Sequence, residues 1–185
     1  MGMATRDEGL GARGQVTIAS PFPASAWPRV WQWTEDFRWQ VFDDFGPKTL
    51  AEFVPHCLER ARVERQWAVY RDGELGGLVS FEPGGAGVGT SHMLFRKDFW
   101  GRDTTGPAIR MVYREIFASG VRKIVGLPFR GNSSLIGLAV ELGARNEGLL
   151  RAQTMRRGKP VDVVVLGLLK EDFEKCLNKP APVAA

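Results

Sequence analysis

The chain has 185 residues, 44% of them hydrophobic and 25% charged, which is the composition of an ordinary globular domain. Its two cysteines exclude a disulfide framework, its two histidines are too few for a histidine-based metal site, and no apolar run approaches the roughly 20 residues that cross a bilayer. A formal charge of +4 favours an anionic ligand, but the basic residues do not cluster enough to indicate nucleic acid.

The two ends of the chain differ from its middle. Residues 1–15 are rich in glycine and charge, and residues 176–185 finish in a stretch of proline and alanine, so neither segment can bury much apolar surface. This predicts a flexible arm, a single domain over residues 16–175 and a short tail. The arm contains no apolar signal-peptide core, which predicts a cytoplasmic protein without membrane contact.

Four elements are predicted in the first half of the chain from the spacing of its apolar residues. They are a strand at residues 16–19, an aromatic-rich helical region at 27–42, a helix capped by Thr49, and a hairpin of residues 66–70 and 75–81. The aromatic region is predicted either as core or as the lining of an acceptor pocket. The acidic pair Asp43-Asp44 that follows is predicted either as a solvated loop or as an attraction for a cationic acceptor.

The second half predicts two strand–helix units followed by a hairpin. They are a strand at residues 90–95, a helix with Pro107 in its first turn, a buried strand at 123–127, a helix capped by Asn132, a hairpin of residues 149–155 and 161–169, and a short helix at 170–173. The basic run 151–159 is interpreted as a solvated hairpin turn. Together these elements predict a mixed α/β domain.

Segment 99–108 organises the rest of the chain. It joins a strand to a helix whose apolar residues Ile109, Val112 and Ile116 fall on one stripe. A loop that enters a helix offers unpaired backbone N–H groups and the positive end of the helix dipole. The segment therefore predicts a seat for an anion.

The order of elements, with Phe99-Trp100-Gly101-Arg102 before a helix, resembles the GNAT superfamily of acyl-CoA-dependent N-acyltransferases, nearest the branch that acetylates ribosomal-protein N-termini. Further matches in register are Asn132, Glu141-Leu142-Gly143, residues 147–151, Asp162 and Gly167-Leu168-Leu169. The resemblance covers about residues 67–173. It implies a mostly antiparallel central sheet flanked by helices, in which two neighbouring parallel strands splay apart.

The resemblance also implies where acetyl-CoA binds. Its pantetheine arm would lie between the splayed strands, with its pyrophosphate on the amides of the loop. The cofactor-binding residues implied in this way are Met93, Leu94, Phe95, Trp100, Gly101, Arg102, Asp103, Thr104, Thr105, Gly106 and Asn132. An amine would attack the thioester directly while a base accepts its proton. Whether the protein is a homo-oligomer is left open.

Two residues on the strands before the loop are candidates for that base. His92 is the first, because an unperturbed pKa of about 6.5 suits proton acceptance from an amine; Glu82 is the second. Both also fit a structural interpretation, as an inert strand histidine and a solvated strand-end glutamate. Many family members carry a tyrosine as the catalytic acid where this chain has Leu135, and the nearest hydroxyls are those of Ser133 and Ser134.

One position departs from the family pattern. Asp103 stands where the family has glycine, and its carboxylate would repel a diphosphate unless it caps the helix or pairs with Arg102 or Arg110. Two functions remain open. The first is an N-acetyltransferase that acts on an unidentified amine. The second is a catalytically degenerate protein with protein partners in an assembly, because the loop is also similar to that of GNAT-like proteins encoded by bacteriophages.

Overall fold

Seven strands form one sheet in the computed structural model, which describes residues 14–35, 37–101 and 103–178. The strands are β1 (Val16–Ala19), β2 (Arg65–Arg71), β3 (Glu74–Pro83), β4 (Val88–Phe95), β5 (Lys123–Gly126), β6 (Arg145–Arg156) and β7 (Lys159–Leu169). The helices are α1 (Trp27–Thr34), α2 (Arg38–Val41), α3 (Leu50–Arg60), α4 (Thr105–Ala118), α5 (Ser133–Glu141) and α6 (Lys170–Leu177).

The strand order is β1-β2-β3-β4-β5-β7-β6. Within the described ranges, β4 and β5 are the one parallel pair, and every other pair of neighbours is antiparallel. The mixed α/β fold with a mostly antiparallel sheet is therefore confirmed.

One face of the sheet packs against α4 and α6. Trp67 and Val79 of the sheet and Ile109 of α4 are each fully buried there, and Phe173 of α6 packs edge-on against Tyr113. Burial of large apolar side chains of this kind contributes about 1.5–3 kcal/mol per residue. The stripe predicted on the central helix is thus the surface that packs α4 against the sheet.

The other face packs against α1 and α3. Trp27 and Trp33 of α1 are buried together with Phe53 of α3, against Ala68 and Leu75 from the hairpin. The aromatic region therefore belongs mainly to a second core. This core holds α3 over the sheet, so that the end of α3 lies near β3 and β4.

The capping residue Thr49 marks the start of α3, as its sequence predicted. The Thr49 hydroxyl accepts from the amide of Glu52 at 3.2 Å, and α3 continues through Pro55 to Arg60. The buried strand predicted at 123–127 is present as far as Gly126 but is only partly buried, because Ile124 alone is buried within it and Leu127 is 44% exposed. The strand is open because it parts from β4 after Val125. Helix α6 runs to Leu177, two residues past the predicted end of the domain at residue 175.

The acidic pair Asp43-Asp44 ties the α2–α3 loop to the tip of the β6–β7 hairpin. Asp44 accepts from the amides of Arg157 and Gly158, both at 2.8 Å, and Asp43 accepts from the Thr154 hydroxyl at 2.7 Å. The pKa of Asp44 lies below its ordinary value, chiefly because the Gly158 amide stabilises its ionised form. These carboxylates therefore hold two distant segments together.

Much of the predicted arm and tail lies outside the described residues. At the edge of the arm, Gln15 donates its amide to Asp72 at 2.8 Å and accepts from the Asp72 amide at 3.0 Å. The chain is therefore fixed to the β2–β3 turn from residue 15 onwards. Among the described helices, none combines the length and the apolar character needed to span a membrane.

Candidate functional site

A gap opens between β4 and β5. The two strands pair only at residues 88–90 with 123–125. Beyond these pairs β4 stays with β3 as far as Phe95, while Gly126 of β5 pairs with Leu166 of β7. The strands therefore diverge from Ser91 onwards, as the resemblance implied.

The backbone of β4 presents hydrogen-bonding groups to this gap. The Arg96 amide donates to Gly76 of β3 and the Gly84 amide donates to Val88, so the even-numbered residues of β4 bond to β3. Because backbone groups alternate sides along a strand, those of Ser91, Met93 and Phe95 point to the gap. The Phe95 carbonyl already accepts from the indole of Trp100 at 2.9 Å. Met93 is therefore the middle one of the three β4 residues whose backbone groups face the gap.

The other predicted β4 residue, Leu94, faces elsewhere. By the same alternation its backbone groups belong to the ladder with β3, and its side chain packs against the second core. Its assignment to cofactor binding stays a prediction. On this geometry it would act only by supporting its neighbours.

Phe99 anchors the loop between β4 and α4. Its ring is fully buried, and the guanidinium groups of Arg71 and Arg96 lie over it at 4.4 Å and 4.9 Å from the ring centroid. The Phe99 carbonyl accepts from the Thr105 hydroxyl at 2.8 Å. The loop is therefore held at both ends before any ligand arrives.

Trp100 and Gly101 follow this anchor. Trp100 is 51% exposed and packs edge-on against Phe37, with ring centroids 5.3 Å apart. Gly101 has a φ of 130°, a conformation that suits glycine and turns the chain toward α4. Arg102, the predicted cationic contact, lies outside the described residues.

The N-terminus of α4 offers fewer amides than the sequence suggested. The Thr105 amide donates to the Gly101 carbonyl at 3.1 Å, and Pro107 has no N–H. Thr104 is buried, and its hydroxyl accepts from Arg71 at 3.4 Å. An anion would therefore depend on the Gly106 end of the loop together with the helix dipole, which is worth about 0.3–1 kcal/mol. Asp103 is exposed at the same turn.

Both predicted base candidates belong to one polar cluster. Side chains alternate along strands, and the register pairs Ser80 with His92 and Glu82 with Thr90, so His92 and Glu82 share the α3 face of the sheet. Glu64, just after α3, completes the group, and the three side chains present ligand-type atoms within 4.8 Å of one another. His92 stands two residues past Thr90, the last β4 residue paired with β5.

Arg60 holds the two carboxylates of this cluster. Its guanidinium donates to Glu82 at 2.8 Å and also contacts Glu64, whose side chain is only 5% exposed. Sequence reasoning missed both Arg60 and Glu64. Their spacing of four residues signals a helical ion pair, but nothing in it signals the approach to His92.

The protonation of His92 is set by its surroundings. The imidazole keeps contact with solvent, yet neighbouring protein atoms desolvate it and lower its pKa below 6.5. Glu64 and Glu82 act in the opposite direction, and Arg60 adds to the lowering. His92 is therefore mainly neutral at pH 7 and able to accept a proton. Cys57, next to Glu64, is no rival nucleophile, because burial raises its thiol pKa to about 12.

The same three side chains have a spacing that a metal ion could bridge. Two carboxylates and one imidazole are a reasonable donor set for a divalent metal. However, the Arg60 guanidinium already bonds to both carboxylates, and a cation would have to displace it. The arrangement favours a proton-accepting cluster, and the expectation of no metal stays a prediction.

The helix after β5 carries the remaining predicted residue. Asn132 caps α5 by accepting from the Leu135 amide at 3.2 Å, so the structural part of its predicted role is present. Leu135 occupies the turn at which the resemblance implied a hydroxyl. Tyr113 does not substitute for it, because its side chain is buried in the core beside Ser91 and Phe173.

The lowered pKa of His92 predicts a pH-dependent stability. The unfolded chain binds a proton at about pH 6.5 and the folded chain only below that, so the free energy of unfolding falls as the pH drops through this window. We expect the wild type to lose more stability than His92→Gln between about pH 7.5 and about pH 5.5. Urea unfolding at both pH values measures this difference. Equal losses in the two proteins would contradict it, and His56→Gln, altered at an exposed histidine of α3, should behave as the wild type.

No protein-family model and no curated protein matches the sequence. Solved structures do match. The chain is similar to Mycobacterium smegmatis RimJ in complex with CoA-disulfide, with a TM-score of 0.73, 18% identity and coverage of 86% of this chain and 84% of that one. It is also similar to spermidine N-acetyltransferase from Vibrio cholerae in complex with CoA and spermine, with a TM-score of 0.74, 16% identity and coverage of 86% and 98%.

A third similar structure is the ribosomal-protein-alanine N-acetyltransferase from Brucella melitensis, with a TM-score of 0.69, 15% identity and coverage of 84% of this chain and 99% of that one. Together with the splayed β4–β5 pair, these similarities show that the chain has the GNAT fold. At this level of identity the comparison concerns the fold, and the chemistry has to be argued from the site.

Proposed function

We propose that this protein is an N-acyltransferase that transfers an acetyl group from acetyl-CoA to an amine. The observation that carries the proposal is the position of His92, which lies with Glu64 and Glu82 where β4 parts from β5. A backbone that faces a gap can pair with the amides of a pantetheine arm. A proton acceptor beside that gap suits the attack of an amine on a thioester.

We assign each residue of the site a role according to where it lies. Ser91 and Met93 would pair with the pantetheine arm through their backbone groups, and the Met93 amide would donate to the acyl oxygen. The loop from Trp100 to Gly106 would hold the pyrophosphate. His92 accepts the proton as the amine nitrogen bonds to the acyl carbon and the thiolate leaves.

The position at which the resemblance implied a catalytic acid supplies no proton to the leaving thiolate. Leu135 cannot donate one, and Tyr113 is buried in the core. Because a thiolate is a stable leaving group, with a thiol pKa of about 8.5, the reaction does not require a dedicated acid. Catalysis in this chain would therefore rest on positioning and on the base.

Calorimetry with acetyl-CoA tests the proposal most directly. We expect the wild type to bind at about micromolar affinity, equivalent to about 8 kcal/mol. Removing the charge at position 103 should strengthen binding about two- to fivefold, because the carboxylate opposes a dipole contribution of about 0.3–1 kcal/mol. Asp103→Asn isolates the charge, and Asp103→Gly also restores the backbone freedom of the family pattern.

Glu171→Gln, at an exposed site on α6, is the matched charge control and should bind like the wild type. The absence of binding by the wild type and both Asp103 variants would overturn the proposal. Binding by the Asp103 variants alone would point instead to a cofactor site that has been lost, and hence to the structural role.

The second function, a structural protein of an assembly, stays a prediction from the sequence. It rests on two departures from the family pattern, namely Asp103 in the loop expected to hold the pyrophosphate and Leu135 at the position of the catalytic acid. The polar cluster at His92 favours the enzyme, because an assembly protein has no need of a neutral histidine held beside a paired carboxylate cluster.

A further inference from the structure

A second polar feature lies outside the site described so far. A pocket of about 410 Å³ opens between the α2–α3 region and the tip of the β6–β7 hairpin. Its walls carry the positive side chains of Arg38, Lys48, Arg156 and Arg157, together with Asp43 and Asp44. We call the four cations and the space between them the basic pocket.

The two carboxylates in its walls are engaged by the chain itself. Asp44 accepts from the Arg157 and Gly158 amides, and Asp43 accepts from the Phe45 amide at 3.0 Å and from the Thr154 hydroxyl. These hydrogen bonds join the two walls of the pocket, and each carboxylate oxygen already accepts one of them. Counting six charged side chains, the pocket keeps an excess of two positive charges.

Neutral groups contact three of the four positive side chains. Arg38 donates to the Pro47 carbonyl at 2.6 Å, and Lys48 donates to the Asp44 carbonyl at 2.6 Å. The Arg156 guanidinium lies 4.0 Å over the Phe129 ring. Such contacts orient a cation without cancelling its charge.

The surroundings of Arg156 disfavour additional positive charge. Burial lowers the pKa of its guanidinium, and repulsion from Arg157 lowers it further, against the attraction of Asp43 and Asp44. The predicted solvated turn is thus partly buried at Arg156. A bound anion would relieve this repulsion.

Ring contacts link both walls of the basic pocket to the segments that follow β4 and β5. Phe129, beneath Arg156, lies three residues past the end of β5, and it pairs with Val163 of β7. On the other wall, Phe37 precedes Arg38 and packs against Trp100 in the loop after β4. Both contacts come from the carboxyl ends of β4 and β5, the ends at which the strands separate.

We propose that the basic pocket binds a carboxylate or phosphoryl group of the acceptor, so that the substrates of this protein are small amines that also carry an anionic group. This inference rests on the proposed function. Guanidinium groups form paired hydrogen bonds to carboxylate and phosphate oxygens, which suits arginines on both walls. A polyamine, by contrast, would meet four positive side chains.

The binding part of the proposal can be tested without catalysis. Inorganic phosphate and acetate are titrated into the protein by calorimetry. We expect both anions to bind, and Arg38→Gln or Arg157→Gln, one from each wall, to weaken binding about tenfold, while Arg62→Gln on the surface beyond α3 leaves it unchanged. Thermal melting of each variant checks that it is folded. If both Arg38→Gln and Arg157→Gln bind the anions as tightly as the wild type does, the anions bind elsewhere and the proposal is overturned.

The substrate part is tested with matched amines. Phosphoethanolamine is compared with ethanolamine, and β-alanine with propylamine, as acetyl acceptors. We expect the anionic member of a pair to be favoured at least tenfold in kcat/KM. The pair that shows the larger preference identifies the anionic group of the acceptor as phosphate or carboxylate. Preference for the neutral amines, or for spermine, would overturn the proposal. If the wild type binds the anions but does not bind acetyl-CoA, the proposed function is wrong while the anion site stands.

Discussion

Replacing His92 with glutamine is expected to lower kcat for acetyl transfer about 10²- to 10⁴-fold, the usual contribution of a positioned general base. Glutamine preserves much of the volume and polarity of the side chain but cannot accept a proton. The affinity for acetyl-CoA should stay within about twofold, because the His92 side chain lies on the α3 face and the backbone groups of Met93 line the gap. Steady-state kinetics together with calorimetry separate these two effects.

The pH profile gives a second readout of the same residue. A neutral imidazole is the active form, and the pKa of His92 lies below 6.5, so its protonation should reduce kcat/KM as the pH falls below that value. His92→Gln should lose this acidic limb. His56→Gln supplies the control, as the other histidine of the chain, and should keep both rate and profile. A His92→Gln enzyme with wild-type rate would remove His92 from the mechanism and leave Glu82 as the next candidate.

Replacing Phe99 with alanine is expected to lower the free energy of unfolding by about 3–5 kcal/mol, the range for losing a fully buried phenylalanine. The two guanidinium groups stacked on the ring would lose their partner at the same time. Because Phe99 also fixes the start of the loop before α4, acetyl-CoA binding should weaken even at temperatures where the variant is folded. Urea unfolding and calorimetry measure the two losses.

Gly76 provides an internal control for this packing. A Cβ built at Gly76 falls inside van der Waals contact with the Phe99 ring, so Gly76→Ala alone should cost about 1–3 kcal/mol. In the Phe99→Ala background the same methyl group enters vacated space, and most of that cost should vanish. Gly137→Ala, in open space on α5, should instead be neutral or stabilising. Additive costs at positions 76 and 99 would show that the ring and the glycine do not share this contact.

Local chemistry explains which features could be predicted from the sequence. The caps at Thr49 and Asn132 and the proline in the first turn of α4 are signals carried within one helical turn, and each is found where it was expected. The hairpin of β2 and β3 is similarly local. The parallel pairing of β4 with β5 was expected from the resemblance, and α4 between the two strands supplies the crossover that a parallel pair requires.

The candidate site was harder to predict because it combines distant segments. His92 and Glu82 could be selected by their chemistry and their strands, but Arg60 and Glu64 join them only because the second core holds α3 across the sheet. The basic pocket was missed for the same reason. Its residues come from the end of the aromatic region, from the loop whose acidic pair was predicted either as solvated or as an attraction for a cationic acceptor, and from a turn interpreted as solvated. Their proximity depends on the Asp44 hydrogen bonds.

Those hydrogen bonds have a kinetic consequence. They join residues that are 111 to 114 positions apart in the chain. Contacts between such distant segments form late in folding, because the entropy of closing the intervening loop must be overcome first. The same contacts can open while the sheet stays intact, as a low-energy local fluctuation. An acceptor bound to both walls would slow this opening, and the exchange rate of the Gly158 amide hydrogen would report its residence in the pocket.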